Sequence, residues 1–222
     1  MGQRFLDKIN PYLRKIRDLQ FREAVIQLIM MCPDYITVCP ASSTGKYHPT
    51  DEVGRGPGML RHMVRVMNAG QVVCDINNWG NYHRDILIAG AFLHDAFKQG
   101  EETDQVDAED IPLASATHTI PEHPVHIFNL IMEYREQHLN TEVAGAKDKL
   151  SDQWLFDLAH ACLLHEGRWT ISMAQDLQQD DDMTDITREI CEAMHIADMM
   201  ASRRYFAEAM QYDRLFCADK ES

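Results

Sequence analysis

His94 and Asp95 stand side by side in Ala91-Phe92-Leu93-His94-Asp95-Ala96-Phe97-Lys98, two side chains able to ligate a metal inside an otherwise apolar run. Upstream lies His62, and far downstream Asp198 sits among apolar neighbours in His195-Ile196-Ala197-Asp198-Met199-Met200-Ala201. Read in chain order, the set is His62, His94-Asp95, His123, His165 and Asp198, each at or near a predicted helix end or on a core helix. A lone histidine on an apolar helix is more often a hydrogen-bonded core residue than a ligand. The ordered set makes the metal reading the stronger one. Neutral imidazoles joined by carboxylates suit Mn, Fe, Co, Ni or Zn, with Mg also admitted, and the lack of a cysteine cluster disfavours a closed structural zinc site. An open site of this kind holds water, whose pKa a divalent ion lowers while polarising a phosphoryl oxygen. Two ions about 3.5–4 Å apart can clamp the attacking and leaving oxygens, and Asp95 is suited to bridge them. Two carboxylates, Asp95 and Asp198, would not neutralise two divalent ions, so the pocket would be cationic within an acidic protein and could accept a phosphate.

The elements that must position these groups read as helices. Asn10-Pro11 precedes a helical pattern over 11–31, and a second helix runs from Met59 through Val73. Tyr82 to Phe97 gives a third that ends in the doublet, Glu122 to His138 a fourth, 151–165 a fifth, and about Thr184 to Phe216 a long last one. Between them, 33–58 carries Pro33, Pro40, Pro49 and Pro57 with Gly45, Gly54 and Gly56, a long loop of the kind that is often functional. The acidic stretch 99–112 reads as a solvated loop, and no strand alternation or internal repeat is found. The expected fold is therefore all-α, with an N-terminal helical segment (1–32) packed on a main domain (33–222).

Composition bounds the function. The chain has 222 residues, 45% hydrophobic and 25% charged, an ordinary globular balance. A formal charge of −14 repels polyanions, so long nucleic acid is not an expected partner. The cysteines, Cys32, Cys39, Cys74, Cys162, Cys191 and Cys217, form no Cys-x-x-Cys pair and sit mostly among apolar residues, as reduced buried thiols do. With no apolar run of membrane-spanning length and no leader-like start, a cytoplasmic protein is expected.

The motifs resemble those of the HD-domain superfamily of metal-dependent phosphohydrolases. Gly58-Met59-Leu60-Arg61-His62 is similar to the family's Gly-Leu-x-x-His opening, and His94-Asp95-Ala96-Phe97-Lys98 to its His-Asp-x-x-Lys. Glu122-His123-Pro124 resembles the His-Pro of two-metal members, Leu164-His165-Glu166 the later His-His-Glu, and Ala197-Asp198-Met199 the closing Ala-Asp-Lys. The resemblance spans about 46–204. It departs at Ala96-Phe97, where the family has Ile-Gly, and at Leu164, where it has His; no Gly-Tyr-Pro follows His165, which argues against the cyclic-dinucleotide branch.

The resemblance implies an HD-type helical bundle in which His62, His94, Asp95 and Asp198 hold a first divalent ion, and Asp95, His123 and His165 a second. His118 or His126 could replace His123. Asp95 and Lys98 are the expected catalytic residues. Lys46 and His48 in the approach loop, with Arg203 and Arg204 beyond Asp198, are candidate phosphate contacts. Arg61 and Arg65 are expected on a solvated face, His160 in packing or just outside the ligand set, and His83, His138 and His195 in surface or core roles. Glu166 could donate a proton, and Trp169 or Tyr47 could stack on a base. The expected activity is hydrolysis of a phosphoester or phosphoanhydride of a nucleotide or related small molecule by ion-activated water. The alternatives are a nuclease on short single strands or cyclic nucleotides, and a catalytically silent nucleotide-binding protein.

Overall fold

The computed structural model describes residues 2–42, 48–53, 56–140, 152–178 and 182–203. Among these the chain forms eight α-helices around one continuous apolar core, and the expected all-α bundle is the architecture found. The helices are α1 (Gln3–Leu13), α2 (Leu19–Met30), α3 (Gly58–Ile76), α4 (Asn81–Leu93), α5 (His123–Asn140), α6 (Asp152–Leu163), α7 (Ser172–Gln178) and α8 (Asp185–Ser202). The main packing pairs are α3 with α4 and α8, and α6 with α5 and α8. No described helix is long and apolar enough to cross a membrane.

The single helix expected over 11–31 is instead two. Pro11 lies in the last turn of α1, where its missing N–H forfeits one helical bond and the helix ends soon after. Asp18 then starts α2 by accepting from the Phe21 N–H at 2.8 Å. The break is also held from outside, because the buried Asp85 of α4 accepts both the Arg17 and Asp18 N–H groups at 3.0 and 2.9 Å. Residues of α1 and α2 join the same buried cluster as the rest; Tyr12 meets Phe92 of α4 with ring centroids 5.7 Å apart.

The acidic loop is likewise partly ordered, as a hairpin of β1 (Glu102–Val106) and β2 (Pro112–Ala114). Its turn rests on Asp107, whose Oδ1 accepts from the Glu109 and Ile111 N–H groups at 2.7 and 3.1 Å. Both strands lie at the surface with no buried face, so no apolar alternation marks them.

Two features set the frame for the candidate site. The loop before α3 is long, as expected, but folds back on itself: Ala41 N–H reaches Glu52 O and Met59 N–H reaches Cys39 O, both at 3.0 Å. Gly58 permits that closure, since a Cβ there would come within 2.6 Å of Glu52 O. At the other end of the chain Thr184 and Thr187 cap α8 reciprocally, and Thr187 Oγ1 donates at 2.8 Å to the buried Asp157 of α6. Asp157 also accepts from Tyr82 of α4 at 2.6 Å, so one carboxylate fixes α4, α6 and α8 together. The last helix ends at Ser202, with Arg203 extended, short of the expected Phe216; 204–222 lie outside the described residues.

Candidate metal centre and its cleft

Five elements deliver the candidate ligands to one place. His62 comes from α3, His94 caps the C-terminus of α4, His123 opens α5, His165 follows α6 and Asp198 comes from α8. Adjacent residues on a regular helix point about 100° apart. After Leu93 the chain tightens into i to i+3 turns (Ala96 N–H to Leu93 O, Lys98 N–H to Asp95 O), which departs from the expected helix to Phe97. In this turn the Asp95 carboxylate lies 3.4 Å from His94 Nε2. Tyr35 pins the turn from below, donating to Gly100 O at 2.8 Å and accepting from Gln99 N–H at 3.0 Å.

The imidazoles share one orientation. Nδ1 of His94 lies 3.1 Å from Ala91 O, Nδ1 of His123 2.7 Å from Ile120 O, and Nδ1 of His165 2.7 Å from Cys162 O. A carbonyl can only accept, so each Nδ1 carries a proton and each ring turns its Nε2 inward. Those Nε2 atoms surround Asp95. Its Oδ2 lies 3.4 Å from His94 and 3.9 Å from His62, and its Oδ1 lies 3.0 Å from His123 and 3.5 Å from His165. Asp198 Oδ1 closes the first side, 3.0 Å from His62 and 3.9 Å from His94. All these residues except Asp198, which is partly exposed, are buried.

Lone pairs facing lone pairs in a dry site repel. The Nε2 atoms of His62, His94 and His123 and Oδ1 of Asp95 are buried with no hydrogen-bond partner. Such orphans are rare and each calls for a missing partner. Borderline nitrogen and carboxylate donors at this spacing are the donor set of a divalent transition metal, and the residues present fit one. Among the described residues the donors fall into four groups linked by shared histidines: His48–Glu52–His62, His62–His94–Asp198, His94–Asp95–His165 and His123–His165–Glu166.

The electrostatics agree. Burial by itself would lower the His62 pKa, but Asp198 and Glu52 outweigh it and raise it to about 9. Burial would raise Asp95 and Asp198, yet Lys98 and the imidazoles of His94, His123 and His165 hold Asp95, and those of His62, His94 and His165 hold Asp198, below the usual carboxylate range. His94, whose largest influence is burial, is pushed down. The cluster thus holds deprotonated carboxylates and demands positive charge, which a proton on His62 or a bound cation can supply.

Lys98 is half-buried beside Asp95 with Nζ 2.6 Å from Oδ2, and its backbone carbonyl accepts from Ile120, whose own carbonyl holds His123. His48 lies over the site, ring centroid 5.2 Å from His62, with Nδ1 2.8 Å from Glu52 Oε2. Both line a cleft of about 470 Å³ that opens from Asp95 and Asp198 toward Arg168, Trp169, His195 and Arg203. Lys46, Tyr47 and Arg204 lie outside the described residues.

Of the three candidates around Pro124, His123 is the one brought to Asp95. His118 is exposed beside Thr117, and His126 pairs with Glu101 at 3.3 Å and stacks on Phe97. His160 packs on Phe156, His83 on Trp79 and His138 on Tyr134.

Three features differ from expectation. Arg65, expected on a solvated face, is buried in an ion pair with Glu52 and a second with Asp51 at 2.9 Å, because the folded-back loop covers that side of α3. Glu52, in a loop read only for its polarity, is fully buried, with Oε2 3.7 Å from His62 Nδ1. Its carboxyl, which burial would raise, is drawn down to about 2 by His48, His62 and Arg65. His195, expected in a surface or core role, lines the cleft and has Nδ1 2.7 Å from His165 O. Its position one turn before Asp198 was the available signal. The five cysteines among the described residues are free and buried, in keeping with the thiol reading.

No family model, curated protein or solved structure matches this chain.

Proposed function

We propose that the protein is an HD-type metal-dependent phosphohydrolase acting on a small phosphorylated molecule. The observation that carries this reading is the ring of unpartnered inward donor atoms on both sides of Asp95. His62, His94, Asp95 and Asp198 would hold one divalent ion, and Asp95, His123 and His165 a second. A bound divalent ion would supply the lowered water pKa and the polarised phosphoryl oxygen that hydrolysis at neutral pH needs.

The chain's own groups do the rest. Backbone carbonyls of Ala91, Ile120 and Cys162 fix the tautomer of three imidazoles, so the donors need no reorganisation. Lys98, paired to Asp95, presents an ammonium at the inner end of the cleft, where negative charge accumulates on a transferring phosphoryl group. His48 and Arg203 line the same cleft and can contact phosphate oxygens. The overall charge of −14 favours a small substrate over a long polyanion.

The test pairs elemental analysis of protein purified without added metal with phosphate release from nucleotides and sugar phosphates in Mn, Co, Ni and Mg. Release that disappears in Asp95→Ala while the protein stays folded is the expected result. Metal uptake with no turnover on any compound would instead assign a binding protein and defeat the proposal.

A further inference from the structure

We infer that the phosphohydrolase takes a mononucleotide and that Trp169 stacks on its base. This rests on the proposed reaction for the direction in which the substrate lies, phosphate inward toward Asp95 and Lys98. The cleft is ionic at Asp95, Lys98 and Asp198, and Trp169 and Met199 add apolar surface to it beside Glu166, Arg168 and Arg203. The Trp169 side chain is 50% exposed, a large aromatic surface left in water on the wall of this cleft. Stacking a base on such a surface is favourable for any base, since each has a π-face.

The indole is also held in place. The Arg168 guanidinium lies over its ring, 4.4 Å from the centroid, and adds positive charge beside the wall on which an anionic ligand would rest. Trp169 closes a single 3-10 turn, Gly167–Trp169, that begins two residues after His165. That turn is tied to the candidate centre. Gly167 has φ +58°, and a Cβ there would fall 2.5 Å from the His195 ring, which itself holds the His165 carbonyl. The distance from the candidate metal ligands to the stacking surface is therefore set by a short, tightly packed turn. A cleft of about 470 Å³ is near the lower end of the roughly 300–1,000 Å³ of small-molecule sites, room for one nucleotide. A sugar phosphate would fill the ionic end and leave the indole uncovered.

The Mn-loaded full-length protein should be titrated with adenosine 5′-monophosphate and, separately, ribose 5-phosphate, following intrinsic fluorescence and phosphate release. The nucleotide should quench emission and the sugar phosphate should not. Trp169→Ala should abolish the quench, leaving Trp79 and Trp154 emitting, and raise KM for the nucleotide by about 5- to 150-fold, the range of single-base stacking losses. Its kcat, and KM for ribose 5-phosphate, should hardly change, and Trp169→Phe should recover most of the loss. Equal KM values for the two compounds in the unaltered protein, or an equal effect of Trp169→Ala on both, would overturn the inference and leave the phosphohydrolase reading standing. Trp169-dependent quenching by the nucleotide without release of phosphate from either compound would keep the stacking site and remove the reaction.

Discussion

Binding of a divalent cation should raise the melting temperature of this protein. In the metal-free state His94 Nε2, His123 Nε2 and Asp95 Oδ1 are buried without partners, and each such atom costs about 1–3 kcal/mol. A ligand that satisfies them stabilises the folded state by mass action, about 4 kcal/mol at a thousandfold excess over Kd. For a chain of this size each kcal/mol moves the midpoint by about 2–4 °C, so the expected rise is about 8–16 °C. The assay is thermal unfolding in chelator against graded Mn, Fe, Co, Ni, Zn and Mg, with ion content measured on the same samples. Because Asp95 divides the donors, His62→Ala should weaken one half-centre and His123→Ala the other, each leaving part of the shift, while Asp95→Ala should remove nearly all of it. No shift with any of the six ions, or an unchanged ion content in Asp95→Ala, would refute the reasoning that the inward lone pairs await a cation.

Two further outcomes follow from groups that support the centre. Thr187→Val keeps the shape but takes a donor from buried Asp157 and an acceptor from the Thr184 N–H; urea unfolding should show a loss of about 1–3 kcal/mol, with Thr187→Ser restoring most of it. Glu52, held at about 2 against an ordinary 4.5, binds fewer protons folded than unfolded. Its contribution is therefore complete above pH about 4.5 and lost as pH falls toward about 2, and Glu52→Gln should flatten that limb of an acid-unfolding curve recorded in chelator.

How far the chain could be read without its fold depends on where each signal lives. The doublet, His62, His123, His165 and Asp198 were legible because a polar metal-ligating residue in an apolar run is conspicuous, and the structure brings all of them within a few ångströms of Asp95 or Asp198. The core helices were legible from their apolar spacing. The break between α1 and α2 was half legible: Asp18 before an apolar helix is a cap signal, but its second anchor, Asp85, lies on α4 and no local pattern points to it. The hairpin was hidden because a strand pair with no buried face has no reason to alternate. Glu52 and Arg65 were hidden by the opposite error. A loop rich in Pro, Gly and polar residues reads as solvated, yet backbone bonds from Ala41 and Met59 fold it over α3 and bury an ion pair beside His62.

That buried pair matters to how an acidic protein could take up a phosphate. Arg65 is committed to Glu52 and Asp51, and Lys98 to Asp95, so neither brings uncompensated charge to the cleft. At the inner end Asp198 adds a second carboxylate, offset where His62 keeps its proton. A phosphate approaching this end in the metal-free state meets a balance that does not favour it, whatever Arg168 and Arg203 contribute at the mouth. Two divalent ions would reverse the sign locally without changing a side chain. Phosphate affinity and ion occupancy are then linked, each raising the other by the same factor.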